Sequence, residues 1–278
     1  MAKPYVSEPQ SSPAKIRIHH LQKAKDSGAK FAMLTAYDTM MAEIFDGCGI
    51  ELLLVGDSAA NTVIGYDSTL PITLDEMIVF TKAVANGARR AMVVTDLPFG
   101  SYEQSPAQAV ASATRLMKEG GAQAVKMEGG AEFAGHVKAL VQAGVPVIGH
   151  IGFTPQSEHA LGGYRVQGRG EQSAQLIADG QALQDAGAFA VLAEMIPSPV
   201  AAELEATLRV PTIGIGAGNE TTGQVLVWQD MLGLGGHRTP RFVKKYADLR
   251  GIVSQAVSEY HREVLEGSFP SADYEFTE

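Results

Sequence analysis

Charged side chains recur at the carboxyl ends of short apolar runs. Asp57, Asp96, Glu128, His150 and Glu194 stand at or near the ends of the second to sixth runs in turn. Because buried strands are apolar, a charged residue at a strand end needs a chemical or a capping reason. If four carboxylates meet at one edge of a sheet, they repel one another unless positive charge lies among them.

Lys126 supplies one such positive charge. It precedes Glu128 by two residues, so on a strand both side chains face the same way. The remaining negative charge favours Mg²⁺, which takes oxygen ligands and keeps waters that a substrate replaces. A metal with open positions can hold a ketone and a carboxylate oxygen and stabilise an enolate, while another carboxylate takes the proton. Each acid has an alternative interpretation as a helix N-cap or solvated turn residue, and Asp57-Ser58 is a plausible cap pair.

Eight apolar runs must position these side chains. Their length and lack of alternation are typical of strands buried on both faces of a parallel sheet. The runs are FAMLTAY (31–37), ELLLVGD (51–57), AMVVTDL (91–97), QAVKMEG (123–129), PVIGHIG (146–152), FAVLAEM (189–195), PTIGIGAG (211–218) and VLVWQDML (225–232).

Helical patterns separate most of these runs. Thr73 with Glu76 has the spacing of a capping box, and Ser105-Pro106 with Gln108 has another, with proline at the first helical position. Glycines expected to end helices are Gly120, Gly144 and Gly187. Eight strands alternating with helices in about 250 residues predict a (β/α)8 TIM barrel. A doubly wound open sheet is the alternative, although the turn after the first run has no glycine fingerprint.

Composition narrows the class of protein. The 278 residues are 45% hydrophobic and 19% charged, with a formal net charge of −9. An acidic surface argues against nucleic-acid and anionic-membrane partners, and a small anionic substrate needs a local cation. Cys48 is the only cysteine, which excludes an intrachain disulfide and a cysteine-based zinc site. Without an apolar leader or membrane-length run, the chain is expected to be cytoplasmic.

The expected organisation is a flexible lead-in (1–14), a single barrel domain (15–266) and an acidic C-terminal tail (267–278). Two glycine-rich segments have open interpretations. Residues 162–170 are expected to form a loop over the mouth of the barrel, either a lid or a plain surface loop. Residues 214–218 are consistent with a phosphate-binding loop or with a tight turn.

Seven motifs occur in the order, and near the spacing, of the ketopantoate hydroxymethyltransferase family, which the chain resembles from about Lys15 to His261. They are VGDS (55–58), GYDSTLP (65–71), TDLPF (95–99), VKMEGG (125–130), GHIGFTPQS (149–157), GGYRVQGRG (162–170) and GIGAGN (214–219). The resemblance implies a (β/α)8 barrel of the phosphoenolpyruvate mutase and isocitrate lyase superfamily. It also implies transfer of a one-carbon unit from 5,10-methylenetetrahydrofolate to 3-methyl-2-oxobutanoate, giving 2-dehydropantoate for pantothenate biosynthesis through a Mg²⁺-stabilised enolate.

The resemblance also implies roles for particular residues. The family's metal positions match Asp57, Asp96 and Glu128, and its keto-acid contacts match Asp57, Ser58, Asp96 and Lys126. Its proposed general base matches Glu194, and His150 matches a further active-site position on the substrate side. The implied cofactor is Mg²⁺, with folate as co-substrate. Family members are typically cytoplasmic decamers, so a homo-oligomer is expected, with the keto acid and the folate as small-molecule partners.

Two other functions stay open at this point. A Mg²⁺-dependent 2-oxo-acid lyase or mutase of the same superfamily would share the strand-end carboxylates but typically relies on a cysteine in a mobile loop. Cys48 lies before the second run, which disfavours that function. A non-catalytic barrel that only binds small molecules would have lost the strand-end polar residues, which are present here.

Overall fold

The computed structural model describes residues 14–235 and 239–276. The predicted lead-in, 1–14, lies outside the described residues except for its last residue. The predicted acidic tail, 267–278, is described up to residue 276.

The chain divides into two compact units, Met1–Leu226 and Val227–Glu278. The first unit contains every predicted site residue, from Asp57 to Glu194. The extent of the predicted barrel domain, 15–266, stays a prediction.

Eight parallel strands in the first unit close into a barrel, and each pairs with its neighbours in chain order. The last strand pairs with the first from Phe31 opposite Gly223 to Leu34 opposite Leu226. This closure confirms the predicted (β/α)8 architecture and excludes the open doubly wound sheet. The strands are β1 (Phe31–Thr35), β2 (Leu52–Val55), β3 (Met92–Asp96), β4 (Ala124–Glu128), β5 (Val147–Gly152), β6 (Ala190–Glu194), β7 (Thr212–Ile215) and β8 (Gly223–Leu226).

The prediction for the eighth strand is wrong beyond Leu226. The run 225–232 predicts a strand, but β8 starts at Gly223, and Trp228–Met231 form a short helix instead. A short apolar run does not distinguish a buried strand from a buried helix, and this one contains both. The first residue of β8, Gly223, does not extend the apolar run because a side chain does not fit there. A Cβ at this position would lie 2.4 Å from Cε2 of Phe31.

The strands lack alternation because both of their faces are covered. Every residue of β2, β3 and β4 is buried, including Asp96 and Glu128 at the carboxyl ends of β3 and β4. Inward side chains of a closed barrel fill its interior, and outward side chains pack beneath the helices. Leucine, valine and alanine therefore occupy both sets of positions, and a charged side chain among them is conspicuous.

Helices separate most of the strands. In the first unit they are α1 (Ile18–Ser27), α2 (Thr39–Gly47), α3 (Leu74–Gly87), α4 (Pro106–Arg115), α5 (Ala134–Gln142), α6 (Glu158–Leu161), α7 (Gln172–Asp185) and α8 (Ser198–Thr207). The exceptions to the alternation are that α1 precedes β1, both α6 and α7 follow β5, and β7 leads directly to β8. The second unit contains α9 (Trp228–Met231) and α10 (Leu249–Glu266).

The predicted helix signals are mostly confirmed. The Thr73 side chain accepts from the backbone of Glu76, whose carboxylate accepts in return from the backbone of Thr73, so the capping box forms in full. Ser105 accepts from the Gln108 backbone, but the Gln108 side chain bonds Gln104 instead, so the second box forms only by half. Gly144 and Gly187 adopt a left-handed backbone after α5 and α7, as predicted. The prediction for Gly120 is wrong by one residue, because Gly121 adopts this conformation after the π-helical turn that follows α4.

The second unit is dominated by α10. Asp248 caps its start by accepting from the backbone of Gly251, and Gly267 ends it in a left-handed conformation. No residue of α10 is buried. In the described part of the tail, the Phe269 ring lies 5.6 Å from that of Tyr260 and 5.9 Å from that of Tyr274.

Among the residues that the structure describes, no helix has both the length and the apolar character needed to cross a membrane.

Candidate active site

The carboxyl ends of β2 to β6 bring the predicted site residues together at one mouth of the barrel. The backbone N–H of Asp57, just after β2, donates to Oδ2 of Asp96 at 3.0 Å. Asp96 ends β3 opposite Lys126 of β4 in the strand register, and its Oδ1 lies 3.1 Å from the Lys126 ammonium. Two residues further along β4, Glu128 pairs in register with His150 of β5. The alternation along β4 therefore places Lys126 and Glu128 on the same side, as predicted.

The cluster is buried and short of positive charge. Burial raises the pKa of Asp57 and of Asp96 to about 6, and that of Glu128 to about 7. Burial lowers the pKa of Lys126, but Asp96, Glu128 and Asp57 outweigh it, so this pKa is raised above its ordinary value. One ammonium among three carboxyl groups leaves room for a further cation.

His150 links the cluster to Glu194 at the end of β6. Its Nδ1 lies 3.2 Å from Nζ of Lys126 and 3.4 Å from Oε1 of Glu128, and its Nε2 lies 3.3 Å from Oε2 of Glu194. Burial and the neighbouring Lys126 lower the pKa of His150, which favours the neutral ring. Because an ammonium only donates, Nδ1 accepts in the contact with Lys126, which assigns the ring hydrogen to Nε2. The approach of Nε2 to Glu194 is close but lies outside ordinary hydrogen-bond geometry. Glu194 is the least buried of these carboxylates, with a side chain 15% exposed.

Ser58 is oriented by a buried tyrosine. The hydroxyl of Tyr37, in the loop after β1, lies 2.7 Å from Oγ of Ser58. Burial raises the pKa of Tyr37 to about 12, so the phenol stays neutral. Asp57 and Ser58 are not the cap pair of the alternative interpretation, because the turn that follows, Ala60–Ile64, has no side-chain cap and bonds only their main-chain carbonyls.

Gln156 and Tyr102 belong to the site but are missing from the residues chosen by sequence. The Gln156 amide donates to Oδ2 of Asp57 at 2.8 Å, and its backbone N–H donates to Oε2 of Glu128 at 3.0 Å. The Tyr102 hydroxyl donates to the Gln156 side-chain oxygen at 2.8 Å. Both residues are uncharged and lie in loops, so neither charge nor strand-end position marks them.

The glycine-rich segment 162–170 lies beside the mouth. The backbone N–H of Gln167 donates to the carbonyl of Met195 at 2.9 Å, directly after Glu194. The Tyr164 ring lies 4.7 Å from the Phe153 ring. Met195 has a φ of 48°, and no other non-glycine residue within the described ranges has a positive φ. The predicted location over the mouth fits these contacts, and movement of the loop stays a prediction.

Oxygen donors for a cation are present, but they do not form a complete protein cage. Oε1 of Glu128, although buried, makes no hydrogen bond of ordinary geometry. Within 14–235 and 239–276, no group of three His, Cys, Asp or Glu side chains converges tightly enough to hold a metal unaided. This arrangement fits Mg²⁺, which proteins usually hold through one or two carboxylates with water and substrate completing the shell. The predicted three-residue ligand set of Asp57, Asp96 and Glu128 stays a prediction.

Cys48 is exposed and has no disulfide. It follows α2 and precedes β2, which places it at the amino-terminal end of the barrel, away from the mouth. A cysteine-dependent reaction at the mouth therefore has no thiol to use.

Solved structures define the class of fold. The chain is similar to 2,3-dimethylmalate lyase, a PEP mutase/isocitrate lyase superfamily member, with a TM-score of 0.58, 18% identity, and 94% and 91% of the two chains covered. It is also similar to phosphonopyruvate hydrolase in complex with oxalate and Mg²⁺, with a TM-score of 0.58, 16% identity, and 92% of each chain covered. The chain thus shares the (β/α)8 barrel fold of these two proteins.

Sequence comparison is more specific. The family model described as ketopantoate hydroxymethyltransferase matches residues 15–272. A relative from Paenarthrobacter aurescens (strain TC1), named 3-methyl-2-oxobutanoate hydroxymethyltransferase, is 60% identical over 95% of this chain and 87% of its own length. One of the same name from Mycobacterium tuberculosis (strain CDC 1551 / Oshkosh) is 56% identical over 94% and 93%. The chain belongs to the ketopantoate hydroxymethyltransferase family, a family of enzymes, which confirms the resemblance seen in the motifs.

Proposed function

We propose that the chain transfers a one-carbon unit from 5,10-methylenetetrahydrofolate to 3-methyl-2-oxobutanoate, giving 2-dehydropantoate for pantothenate biosynthesis. Family membership supports the type of reaction. The observation that carries the proposal is the continuous contact from Asp96 through Lys126 and His150 to Glu194. Carbon–carbon bond formation beside a ketone needs a donor at the carbonyl oxygen and a base at the adjacent carbon. These contacts supply both, with Lys126 as the donor and Glu194 as the base.

Mg²⁺ is the proposed cofactor. Asp57 and Asp96 would hold it, with Glu128 acting directly or through water. The raised pKa values of these buried carboxyl groups support a cation among them, as does the Mg²⁺ in the phosphonopyruvate hydrolase complex. When bound, Mg²⁺ supplies Lewis-acid polarisation of the keto acid's 2-oxo and carboxylate oxygens.

Lys126 and Ser58 are proposed to orient the keto acid. The Lys126 ammonium, only 4% exposed, donates to the substrate oxygens in a place where little water competes. The Ser58 hydroxyl adds a second donor, and Tyr37 sets its direction. Together they align the carbon next to the ketone with the base.

Glu194 is the proposed base. Hydrogen on Nε2 of His150 faces Oε2 of Glu194, so Oε1 is the oxygen that takes the proton from C3. The electron pair released at C3 forms the new bond to the methylene carbon of the folate. The bonds from that carbon to both folate nitrogens break, and one water supplies the hydroxyl group of the product. The other hydrogen of that water and the proton that Glu194 took from C3 go to the two nitrogens, so tetrahydrofolate leaves and Glu194 is again ionised. His150 and Lys126 hold the base and the keto acid in fixed relation throughout.

Proton NMR in D₂O tests the proposal. With 3-methyl-2-oxobutanoate and Mg²⁺ but no folate, the protein should exchange the C3 proton for deuterium. Addition of 5,10-methylenetetrahydrofolate should then yield 2-dehydropantoate. Absence of product in the complete mixture would contradict the proposed reaction.

A homo-oligomer is also proposed. Several large apolar side chains of α10 are exposed, among them Ile252, Val257 and Leu265 at 61%, 60% and 73%. A helix with no buried residue gains stability once a second copy covers such side chains. Light scattering after size-exclusion chromatography tests this, because a monomeric mass would contradict it. The decamer implied by the family resemblance is the size expected.

A further inference from the structure

We infer that Gln156 is a positioning residue that holds Asp57 and Glu128 at their working separation, and that Tyr102 fixes the orientation of its amide. The inference rests on the proposed function, because it assigns these two residues to the keto-acid and Mg²⁺ site. Neither touches the reacting atoms in the mechanism above.

Three strand ends meet at Gln156. It lies in a 3₁₀ turn after β5, Pro155–Ser157, and is 6% exposed. Its backbone N–H reaches Oε2 of Glu128 at the end of β4. Its side-chain nitrogen donates to Oδ2 of Asp57 after β2, and at 3.0 Å to the carbonyl of Leu97 after β3. One residue therefore sets the spacing of two carboxylates that repel each other.

The amide works in only one orientation. Both side-chain N–H groups of Gln156 face acceptors, Asp57 and Leu97, so a flipped amide would place its oxygen against two other oxygens. The Tyr102 hydroxyl enforces the correct orientation by donating to the amide oxygen, and it also lies 3.2 Å from the carbonyl of Glu128. Tyr102 is 2% exposed, so no water substitutes readily for its hydroxyl.

The arrangement leaves specific oxygens for a ligand. Gln156 occupies Oε2 of Glu128, while Oε1 of the same carboxylate makes no hydrogen bond of ordinary geometry. Residues that fix the orientation of metal-binding side chains typically change metal affinity or activity by about 10–100-fold when replaced. Gln156 should therefore affect Mg²⁺ affinity, and should affect the proton transfer at Glu194 far less.

The test compares Gln156→Met and Tyr102→Phe with the matched control Gln184→Met. Gln184 is equally buried, at 8% exposed, but its side chain accepts from Val210 at 3.3 Å at the opposite end of the barrel. Calorimetric titration with Mg²⁺, in the presence of 3-methyl-2-oxobutanoate, measures affinity. The C3 exchange rate at saturating Mg²⁺ is a separate readout, and urea unfolding reports stability.

Gln156→Met should weaken Mg²⁺ binding by about 10-fold or more, while saturated exchange stays within about threefold of the wild-type rate. Tyr102→Phe should weaken binding by about threefold or more, and Gln184→Met should lose stability but keep its affinity. Unchanged affinity in a folded Gln156→Met variant, or equal loss in both glutamine variants, would overturn the inference. If Gln156→Met does not fold, the Mg²⁺ affinity of Tyr102→Phe tests the inference in its place. Failure of the wild-type protein to bind Mg²⁺ would contradict the proposed function itself, which is a distinguishable result.

Discussion

Replacement of Glu194 by Gln separates chemistry from binding at this site. The change keeps the size of the side chain and removes its ability to take a proton. Oε2 of Glu194 lies 3.3 Å from Nε2 of His150, outside ordinary hydrogen-bond geometry, and an amide oxygen of the same size can occupy the same place. His150 therefore keeps its partner, and Lys126 and the carboxylates around it are left in place.

The expected loss is large for exchange and small for binding. A positioned general base contributes about 10²–10⁴-fold to rate, which corresponds to about 2.7–5.4 kcal/mol. The contact between the Glu194 carboxylate and His150 becomes a neutral one, a difference of about 1 kcal/mol or less. Glu194→Gln should thus lose C3 exchange by at least about a hundredfold, and its affinity for the keto acid should fall by less than about fivefold.

Proton NMR in D₂O measures the exchange, and calorimetry with Mg²⁺ and 3-methyl-2-oxobutanoate measures the binding. Glu158→Gln is the matched control, because the charges of Glu158 and Glu194 both raise the pKa of Tyr164, while Glu194 is the one of the two placed 3.3 Å from His150. Exchange in that control should stay close to wild type. Exchange by Glu194→Gln within tenfold of wild type would refute the assignment of the base, and abolished binding would show that Glu194 holds the substrate instead.

Three further substitutions test separate parts of the structure. Burial raises the pKa of Glu128 to about 7 from 4.5, so the folded chain holds a proton that the unfolded chain has released, and this group's contribution to stability falls as the pH rises between those values. In metal-free buffer, Glu128→Gln should therefore gain stability relative to wild type, on the order of 3 kcal/mol, as the pH rises through that range, measured by thermal melting. Tyr37→Phe should raise KM for the keto acid by about fivefold with little change in kcat, because Ser58 loses one neutral hydrogen bond. Thr73→Ala should lower the free energy of unfolding by about 1 kcal/mol in urea titrations, because α3 loses its capping box.

Matched substitutions make these results specific. Glu259→Gln, on the exposed surface of α10, should show no gain in stability with pH. Tyr66→Phe, at a tyrosine that is 38% exposed, should leave KM unchanged. Thr207→Ala, at the end rather than the start of α8, should not reproduce the loss at Thr73. If a control substitution changes the measured quantity as much as the substitution it is paired with, the reasoning behind that prediction is contradicted.

The barrel is predictable from the sequence because parallel strands buried on both faces leave a strong local signal. The runs around Leu52–Val55 and Met92–Asp96 are apolar almost without interruption, and Thr73 marks the start of a helix by its own hydrogen bonds. The prediction of the eighth strand is wrong because the start of this strand leaves no local signal. The place where it starts depends on a ring from Phe31, almost the whole first unit away in sequence, and no local pattern contains that contact.

The charged part of the site is predictable for a related reason. A charge such as Lys126 inside a buried strand is costly, so its presence indicates chemistry. Gln156 and Tyr102 carry no such signal, because an amide or a phenol in a loop is ordinary wherever it points. Their role depends on hydrogen bonds between residues far apart in the chain, such as the one joining Gln156 to Asp57.

The pairing of β1 with β8 has a consequence for how the protein is made. The first strand emerges from the ribosome long before its last partner, so a growing chain exposes unpaired strand edges until residues near Leu226 are synthesised. The mouth draws its groups from five successive strand ends, β2 to β6, so all of the site residues are synthesised before the two strands that complete the barrel. Contacts this distant in sequence slow folding.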